Sequence, residues 1–393
     1  MKKILSLTIL SVIIALVSVL LFRERIAIVD KIATIVASSS SSGLLLLYRY
    51  YSTDTSTTSA RAIPTLNDND DNNLQSHKLS VHPSIHLHAT AMSIPRAIRK
   101  VFLAVEQAEG AGARVRRSVG TPQLKNFSPF LMLDHFSIKP GAGFPDHPHR
   151  GQETITYLLS GAVDHEDFAG NKGTIGPGDL QFMTAGRGII HAEMPAQNAD
   201  GSANVGLQLW VDLPAKLKAC EPRYRDLRAV EIPSVRVDAG RVNVKVISGQ
   251  SHGIDSVQDL AYTPVWILDV EIQPGGKIAQ PLPEGWNAFA YALEGTIVFG
   301  PKGNQTTVEQ YHNAVFEPSG EVVLAEVDAG AERSGRFVLI AGTPLDQKVV
   351  QYGPFVLNSQ EEVYQAFIDY QTHTNGFERA KGWESEIGKS MAR

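Results

Sequence analysis

The chain has 393 residues, too many for one ordinary domain, and 43% of them are hydrophobic, which is typical of a globular protein. A single cysteine, Cys220, excludes an internal disulfide framework and a cysteine-rich zinc site. Without the 8 basic and 6 acidic residues of positions 1–91, the chain keeps 28 basic and 35 acidic residues, a net charge of −7 that disfavours direct binding to nucleic acid.

The first part of the chain differs from the rest in composition. Residues 4–22 are 19 uncharged, mainly apolar positions, long enough to cross a bilayer, so residues 1–25 are predicted to be a signal-anchor, with a cleaved signal peptide as the alternative. Residues 26–94 include five consecutive serines and lack the apolar content of a core, which predicts a disordered tether. Met92 begins a stretch that would also suit the start of a soluble protein, so an isoform-specific or wrongly predicted leader stays open.

From about residue 97 the pattern changes to short β-rich runs broken by glycine and proline. Examples are ETITYLLSGAV (153–163) and PVWILDVEI (264–272), in which apolar residues recur with a period near two. This pattern predicts an all-β class of sandwiches or barrels. One short C-terminal helix is predicted, since Ser359 and Glu362 have capping-box spacing and Asn375-Gly376 supplies a stop.

Two blocks of the β-rich region resemble each other. In each, a Pro-Gly pair leads to a short polar motif and then to YLLSG (157–161) or YALEG (291–295). This repeat predicts two tandem barrels, at 95–230 and at 240–388, the second including the closing helix. Where the first block has histidines, the second has Gln280, Leu282 and Leu324, and only Glu326 could ligate, so the second barrel is expected to be metal-free.

Four residues of the first block form a candidate metal site. His147 and His149 lie two positions apart just before a strand, and His191 and Glu193 repeat this spacing 44 residues later. Residues at i and i+2 of a strand face the same side, so opposite strands of a barrel could bring three imidazoles and one carboxylate together. Such a donor set suits a divalent first-row ion. An isolated His-x-His, such as the one at positions 86–88, is weak evidence without a second pair.

The segment at 145–195, together with GARVRRSVG (112–120) and NGFERAKGW (375–383), resembles the pirin family. The resemblance implies two cupin (jelly-roll) barrels, with one divalent ion, Fe(II) above Mn, Ni, Cu or Co, held in the first barrel by His147, His149, His191 and Glu193. It implies cleavage of a flavonol by dioxygen, as in quercetin 2,3-dioxygenases, with Glu193 accepting a proton. The alternative is a redox-sensing transcriptional co-regulator that binds a transcription factor. A monomer is expected, in the nucleus and cytoplasm or, with the leader retained, at a membrane.

Other residues have two interpretations each. Glu153 is expected either to support a metal-bound histidine or to be structural. Arg150 is expected either to attract an anionic phenolate or to form an ion pair, and Trp210 either to line a pocket or to belong to the barrel core. The candidate partner surface is basic, or else an exposed strand edge protected by charge, and consists of Arg114, Arg116 and Arg117.

Overall fold

The computed structural model describes residues 93–110, 112–198, 200–257 and 261–391. Within these residues the chain forms 26 β-strands, one α-helix and several single-turn 3₁₀ helices, so the predicted all-β class is confirmed. The signal-anchor predicted at 1–25 and nearly all of the tether predicted at 26–94 lie outside the described residues. In the part that is described, no helix is long and apolar enough to span a membrane.

The strands are short, as the frequent turn residues predict. In chain order they are β1 (Ile98–Leu103), β2 (Glu106–Glu109), β3 (Ala113–Val119), β4 (Phe130–Ile138), β5 (Phe144–His149), β6 (Gln152–Ser160), β7 (Val163–Asp167), β8 (Lys172–Ile175), β9 (Leu180–Thr184), β10 (Ile189–Pro195), β11 (Asn204–Asp212), β12 (Arg223–Leu227), β13 (Ser234–Val237), β14 (Val242–Ser248), β15 (Gln250–Ser251), β16 (Ile254–Asp255), β17 (Val265–Ile272), β18 (Lys277–Pro281), β19 (Asn287–Glu294), β20 (Thr296–Phe299), β21 (Thr306–Glu309), β22 (His312–Phe316), β23 (Val322–Glu326), β24 (Gly335–Gly342), β25 (Val350–Tyr352) and β26 (Phe355–Leu357). The helix α1 spans Gln360–Thr372. The 3₁₀ turns are Ala215–Leu217, Ala229–Glu231, Asp238–Gly240, Glu378–Ala380 and Gly388–Met391.

Two jelly rolls repeat one topology. The first combines a sheet in the order β2-β3-β4-β11-β6-β9-β12 with a four-stranded sheet in the order β5-β10-β7-β8. The second combines β13-β14-β17-β24-β19-β22-β1 with β18-β23-β20-β21. Strand for strand the orders correspond, so the predicted pair of tandem cupin barrels is confirmed. One strand crosses the expected boundaries: β1 lies inside the range 95–230 but pairs with β22 of the second barrel.

The largest apolar cluster lies between the barrels. It joins residues of β4, β6, β9 and β11 to residues of β17, β19, β22 and β24. Strand β6 shows how the alternation works, since Ile155 and Tyr157 enter this cluster and the Tyr157 hydroxyl donates to Asp269 Oδ2 at 2.8 Å. The alternate residues of the strand, Thr154 and Thr156, face the interior of the first barrel. One side of β6 therefore packs against the second barrel, and its other side faces the interior of the first barrel.

The interior of the second barrel is largely apolar, although Gln280 is buried on the same side of β18 as Ile278 and accepts from Ser251 Oγ at 2.7 Å. This interior is filled by buried valine, leucine, isoleucine, alanine and phenylalanine side chains, among them Ile278, Leu282, Phe299, Phe316 and Val323. Glu326, the residual ligand candidate of this barrel, pairs with Lys277 Nζ at 2.8 Å.

The helix α1 begins as the sequence predicts. The Ser359 hydroxyl accepts from the Glu362 backbone N–H at 3.1 Å, and the Glu362 carboxylate accepts from the Ser359 N–H at 3.0 Å. The helix ends at Thr372, before the predicted Asn375-Gly376 stop, because His373 already takes the left-handed conformation with φ of 55°. Its apolar face packs on the first barrel through Val363 and neighbours that include Ile190 of β10.

Candidate metal centre

Two antiparallel strands bring three imidazoles together. Strand β5 carries His147 and His149 two residues apart, and its partner β10 places His191 directly opposite His147. The ring centroids are 4.4 Å apart for His147 and His191, 4.9 Å for His147 and His149, and 5.0 Å for His149 and His191. One ligand atom from each residue lies within 4.8 Å of the other two. These three residues are called the histidine cluster.

Burial keeps two members of the histidine cluster neutral. His149 and His191 are each 1% exposed. Burial, and after it the neighbouring imidazoles, lowers the pKa of both residues well below the ordinary value of 6.5. A neutral imidazole offers a lone pair on one nitrogen, which is the form that binds metal ions.

The hydrogen bonds of His147 and His191 leave one nitrogen of each ring available for an ion. His147 Nδ1 lies 2.9 Å from the Pro145 carbonyl, which can only accept, so Nδ1 carries the proton and Nε2 has the lone pair. His191 Nδ1 lies 3.0 Å from the Tyr224 hydroxyl, and its Nε2 is buried without a hydrogen-bond partner among the described residues. An unpartnered buried polar atom is costly, and a bound cation would satisfy it. The cluster therefore fits a metal ion.

The carboxylate of Glu193 lies outside the 4.8 Å group of ligand atoms. It is 4% exposed, and its two oxygens accept from Thr156 Oγ1 at 3.0 Å and from Gln208 Nε2 at 2.8 Å. Trp210 Nε1, which can only donate, lies 2.9 Å from Gln208 Oε1 and thereby fixes the orientation of the Gln208 amide. Each carboxylate oxygen keeps a further lone pair, so the group can still accept a proton or approach an ion.

A cavity of about 400 Å³ opens onto the site. His147, His149 and Glu193 line it, and the Trp210 ring stands edge to face against the His149 ring with centroids 5.1 Å apart. The apolar part of the lining consists of Val115, Leu131, Met132, Phe136, Phe144 and Trp210. A volume of this size lies within the roughly 300–1,000 Å³ of small-molecule sites. Trp210 is therefore a pocket residue.

Comparisons with known proteins identify the family. The family model for pirin matches residues 112–211, and the model for the pirin C-terminal cupin domain matches residues 267–376. The chain is 49% identical over 294 residues to human pirin, which covers 74% of this chain and 98% of that protein. The chain belongs to the pirin family. A pirin-like protein of Solanum lycopersicum is also 49% identical, over 76% of this chain and 99% of that protein.

Among solved structures, this pirin-family chain is similar to a quercetin 2,3-dioxygenase from Acinetobacter baumannii. The TM-score is 0.64 at 29% identity, over 71% of this chain and 98% of that one. It is also similar to the protein GK1651 from Geobacillus kaustophilus, with a TM-score of 0.57 at 34% identity, over 66% of this chain and 100% of that one. The cupin fold of the pirin-family chain is thus shared with an enzyme named for flavonol oxidation.

Two sequence candidates in the pirin-family chain have structural partners away from the histidine cluster. Glu153 faces the second barrel, where its carboxylate accepts from the backbone N–H groups of Tyr262 and Thr263 at 3.1 and 3.2 Å. Arg150 is 7% exposed and donates to Asp369 Oδ2 at 2.7 Å. The structure thus places Glu153 at the contact between barrels and Arg150 in a buried ion pair with α1.

The arginines of the candidate partner surface are paired with carboxylates. Arg114 and Arg116 contact Glu106 at 2.9 and 3.2 Å, and Arg117 contacts Asp134 at 2.7 Å. These contacts neutralise much of the positive charge of strand β3. The strand is not an exposed edge, because it pairs with β2 on one side and with β4 on the other.

Several residues of the site were not predicted from the sequence. Gln208 lies two positions before Trp210 on β11, so the alternation rule that placed the histidines could have found it. Gln152, whose Nε2 lies 2.7 Å from His149 Nδ1, and Thr156 could have been found in the same way from β6. Tyr224 and Asp369 carry no spacing signal, because they come from distant parts of the chain.

Proposed function

We propose that this chain is a metal-dependent dioxygenase that cleaves flavonol-like substrates, with activity of the quercetin 2,3-dioxygenase type. The observation that carries the proposal is the position of the histidine cluster. Three imidazoles converge, one of them has a buried nitrogen without a partner among the described residues, and the other two line a cavity of about 400 Å³ with largely apolar walls. The similarity to a protein named quercetin 2,3-dioxygenase supports the same assignment.

The proposed cofactor is one divalent first-row ion, with iron(II) favoured. His147, His149 and His191 would hold it, with Glu193 as the fourth ligand. When bound, such an ion supplies a Lewis-acid and redox centre for a phenolic substrate and dioxygen. Imidazole and carboxylate donors also accept manganese, nickel, copper and cobalt, so the donor set alone does not choose among them.

The proposed work of the protein is to position the substrate and move one proton. A flavonol is flat and aromatic, and the rings of Trp210 and Phe144 offer it apolar faces that exclude water. Glu193 is the proposed acceptor of the proton of the substrate 3-hydroxyl. Thr156 and Gln208 hold its carboxylate by two hydrogen bonds, so that the proton acceptor is oriented before the substrate arrives.

The test is turnover of quercetin by the full chain, loaded anaerobically in separate samples with iron(II), manganese, nickel, copper or cobalt. We expect oxygen uptake with matched release of carbon monoxide. His149→Ala should abolish both, whereas His373→Asn, which changes an exposed histidine at the end of α1, should leave them intact. Absence of turnover with all five ions, or wild-type turnover by His149→Ala, would reject the proposed dioxygenase activity.

A second candidate function is a redox-sensing co-regulator that binds a transcription factor. One observation favours it: Arg117 of the candidate partner surface also lines the cavity of the histidine cluster, so a change at the ion has a short route to that surface. The test compares recovery of a transcription-factor partner by the ferrous and ferric forms. Equal recovery would reject the switch, and loss of the difference in Arg117→Met would support it.

A further inference from the structure

Tyr224 connects a distant strand to the histidine cluster. It lies on β12, the edge strand next to β9, and its hydroxyl is 3.0 Å from His191 Nδ1. Its ring is parallel to that of His165, with centroids 6.0 Å apart and 4° between the planes. The ring also packs against a small buried cluster of Met183, Ala185 and Ile189. These contacts hold the hydroxyl in place beside His191.

The stacking partner of Tyr224 is fixed from the same strand. His165 Nε2 lies 3.1 Å from Asp226 Oδ2, and Asp226 follows Tyr224 by two positions on β12. Residues two apart on a strand face the same side, so β12 supplies both the hydroxyl for His191 and the carboxylate that orients the stacked ring. The local structure around Tyr224 is therefore over-determined, as a group that orients a ligand requires.

The state of the His191 ring follows from the nitrogen that is free. Nδ1 has a partner, whereas Nε2 is buried and has none among the described residues. If Nε2 binds an ion, its lone pair is used there and the single proton of the neutral ring must be on Nδ1. That N–H then donates to the Tyr224 oxygen, and the tyrosine acts as acceptor. A metal-bound histidine commonly has such an acceptor, which fixes its tautomer and orientation.

We infer that Tyr224 is a positioning residue for the ion: its hydroxyl accepts the Nδ1–H of His191 and so sets the affinity and coordination geometry of the site. The inference rests on the proposed metal site but not on the proposed substrate. Tyr224→Phe removes the acceptor and keeps the aromatic ring that stacks on His165. We expect it to weaken binding of Co²⁺ by about 10–100-fold and to change the visible absorption spectrum of the bound Co²⁺.

The chain offers a matched control. Tyr291 Oη lies 3.1 Å from His135 Nδ1, a second part-buried tyrosine–histidine pair, which lies outside the histidine cluster. Tyr291→Phe therefore removes the same kind of hydrogen bond, and we expect wild-type Co²⁺ affinity and spectrum. A purely structural role for Tyr224 would make the two variants alike. Circular dichroism confirms that both variants are folded.

A second measurement needs no variant. In the Zn²⁺-loaded wild-type full chain, long-range ¹H–¹⁵N correlation spectra report which nitrogen of His191 carries the proton, and we expect Nδ1. A proton on Nε2, or equal Co²⁺ affinity and spectrum for the two tyrosine variants, would overturn the inference. If the wild type binds neither ion, the inference and the proposed function both fail. If Tyr224→Phe alone weakens binding while quercetin is not turned over, only the proposed dioxygenase is rejected.

Discussion

Replacement of Asp369 by asparagine tests whether α1 supports the strand that carries His149. Arg150 NH1 donates to Asp369 Oδ2 at 2.7 Å, and their side chains are 9% and 3% exposed. Removing one partner of a buried pair leaves an uncompensated charge and typically costs about 3–5 kcal/mol. The guanidinium keeps a hydrogen bond to the Asn375 carbonyl at 2.6 Å and its position over the Phe377 ring. We therefore expect Asp369→Asn to lower the free energy of unfolding by about 3 kcal/mol, the lower end of that range, and to lower the Tm by roughly 6–12 °C.

The assay is thermal unfolding of the single variants and of a double variant. The double variant Arg150→Met/Asp369→Leu removes both charges. We therefore expect its loss of unfolding free energy to be smaller than the sum of the losses for Arg150→Met and Asp369→Leu measured singly. Arg114→Met is the control, because its pair with Glu106 is 51% and 42% exposed and should contribute less than about 1 kcal/mol. A Tm for Asp369→Asn no lower than that of Arg114→Met would refute the reasoning.

The same pair predicts a dependence on pH. Burial raises the pKa of Asp369, but hydrogen bonds from Arg150, Gln365 and Asn375 outweigh it, so the pKa lies below its ordinary value of 3.8. A lowered folded-state pKa means that the carboxylate contributes its full stability above the ordinary value and loses it as the pH falls through the folded-state value. The difference in Tm between the wild type and Asp369→Asn should therefore be constant at neutral pH and shrink below about pH 4.

Three further predictions concern the barrels. Tyr157→Phe removes the hydroxyl that donates to the buried Asp269 and should cost about 1.5–3 kcal/mol in thermal unfolding. Gly151→Ala should destabilise the chain far more than Gly170→Ala: both glycines have positive φ, but an added Cβ would lie 2.0 Å from the Val356 carbonyl at the first and meets nothing within 4 Å at the second. Chelation of bound ions should speed hydrogen exchange in β5 and β10, because an ion at 100 times its Kd stabilises the folded state by about 2.7 kcal/mol. Exchange in the equivalent strands of the second barrel, β18 and β23, should stay unchanged.

The position of the histidine cluster could be predicted from the sequence because it depends on local rules. Alternation along a strand places His147 and His149 on one side, and pairing of β5 with β10 supplies His191. The same rule predicts that Glu193 lies beside His191. The β5–β10 ladder changes register between these two residues, and the carboxylate lies outside the 4.8 Å group. A bulge of this kind has no clear signature in one sequence. Glu193 as the fourth ligand stays a prediction.

Two supporting residues, Tyr224 and Asp369, could not be predicted, because they are distant in sequence from the residues that they contact. Tyr224 lies 33 positions from His191, and Asp369 lies 219 positions from Arg150. Their contacts arise only when the edge strand and the C-terminal helix pack on the first barrel. The membership of β1 in the second barrel is a similar case, since its pairing with β22 depends on the path of the whole chain.

The first barrel has a polar interior and the second a largely apolar one, and this difference explains how both barrels can contribute to the histidine cluster. A polar interior weakens a barrel, because each buried imidazole or carboxylate needs a partner and displaces apolar contacts. The interior of the second barrel is largely apolar, and residues of its other sheet pack against Ile155 and Tyr157 of β6 in the first barrel. The opposite face of β6 supplies Gln152 and Thr156 to the site. The second barrel therefore acts as a rigid backing for the wall that orients His149 and Glu193, and a defect at the contact between the barrels should disturb the metal centre before it unfolds the chain.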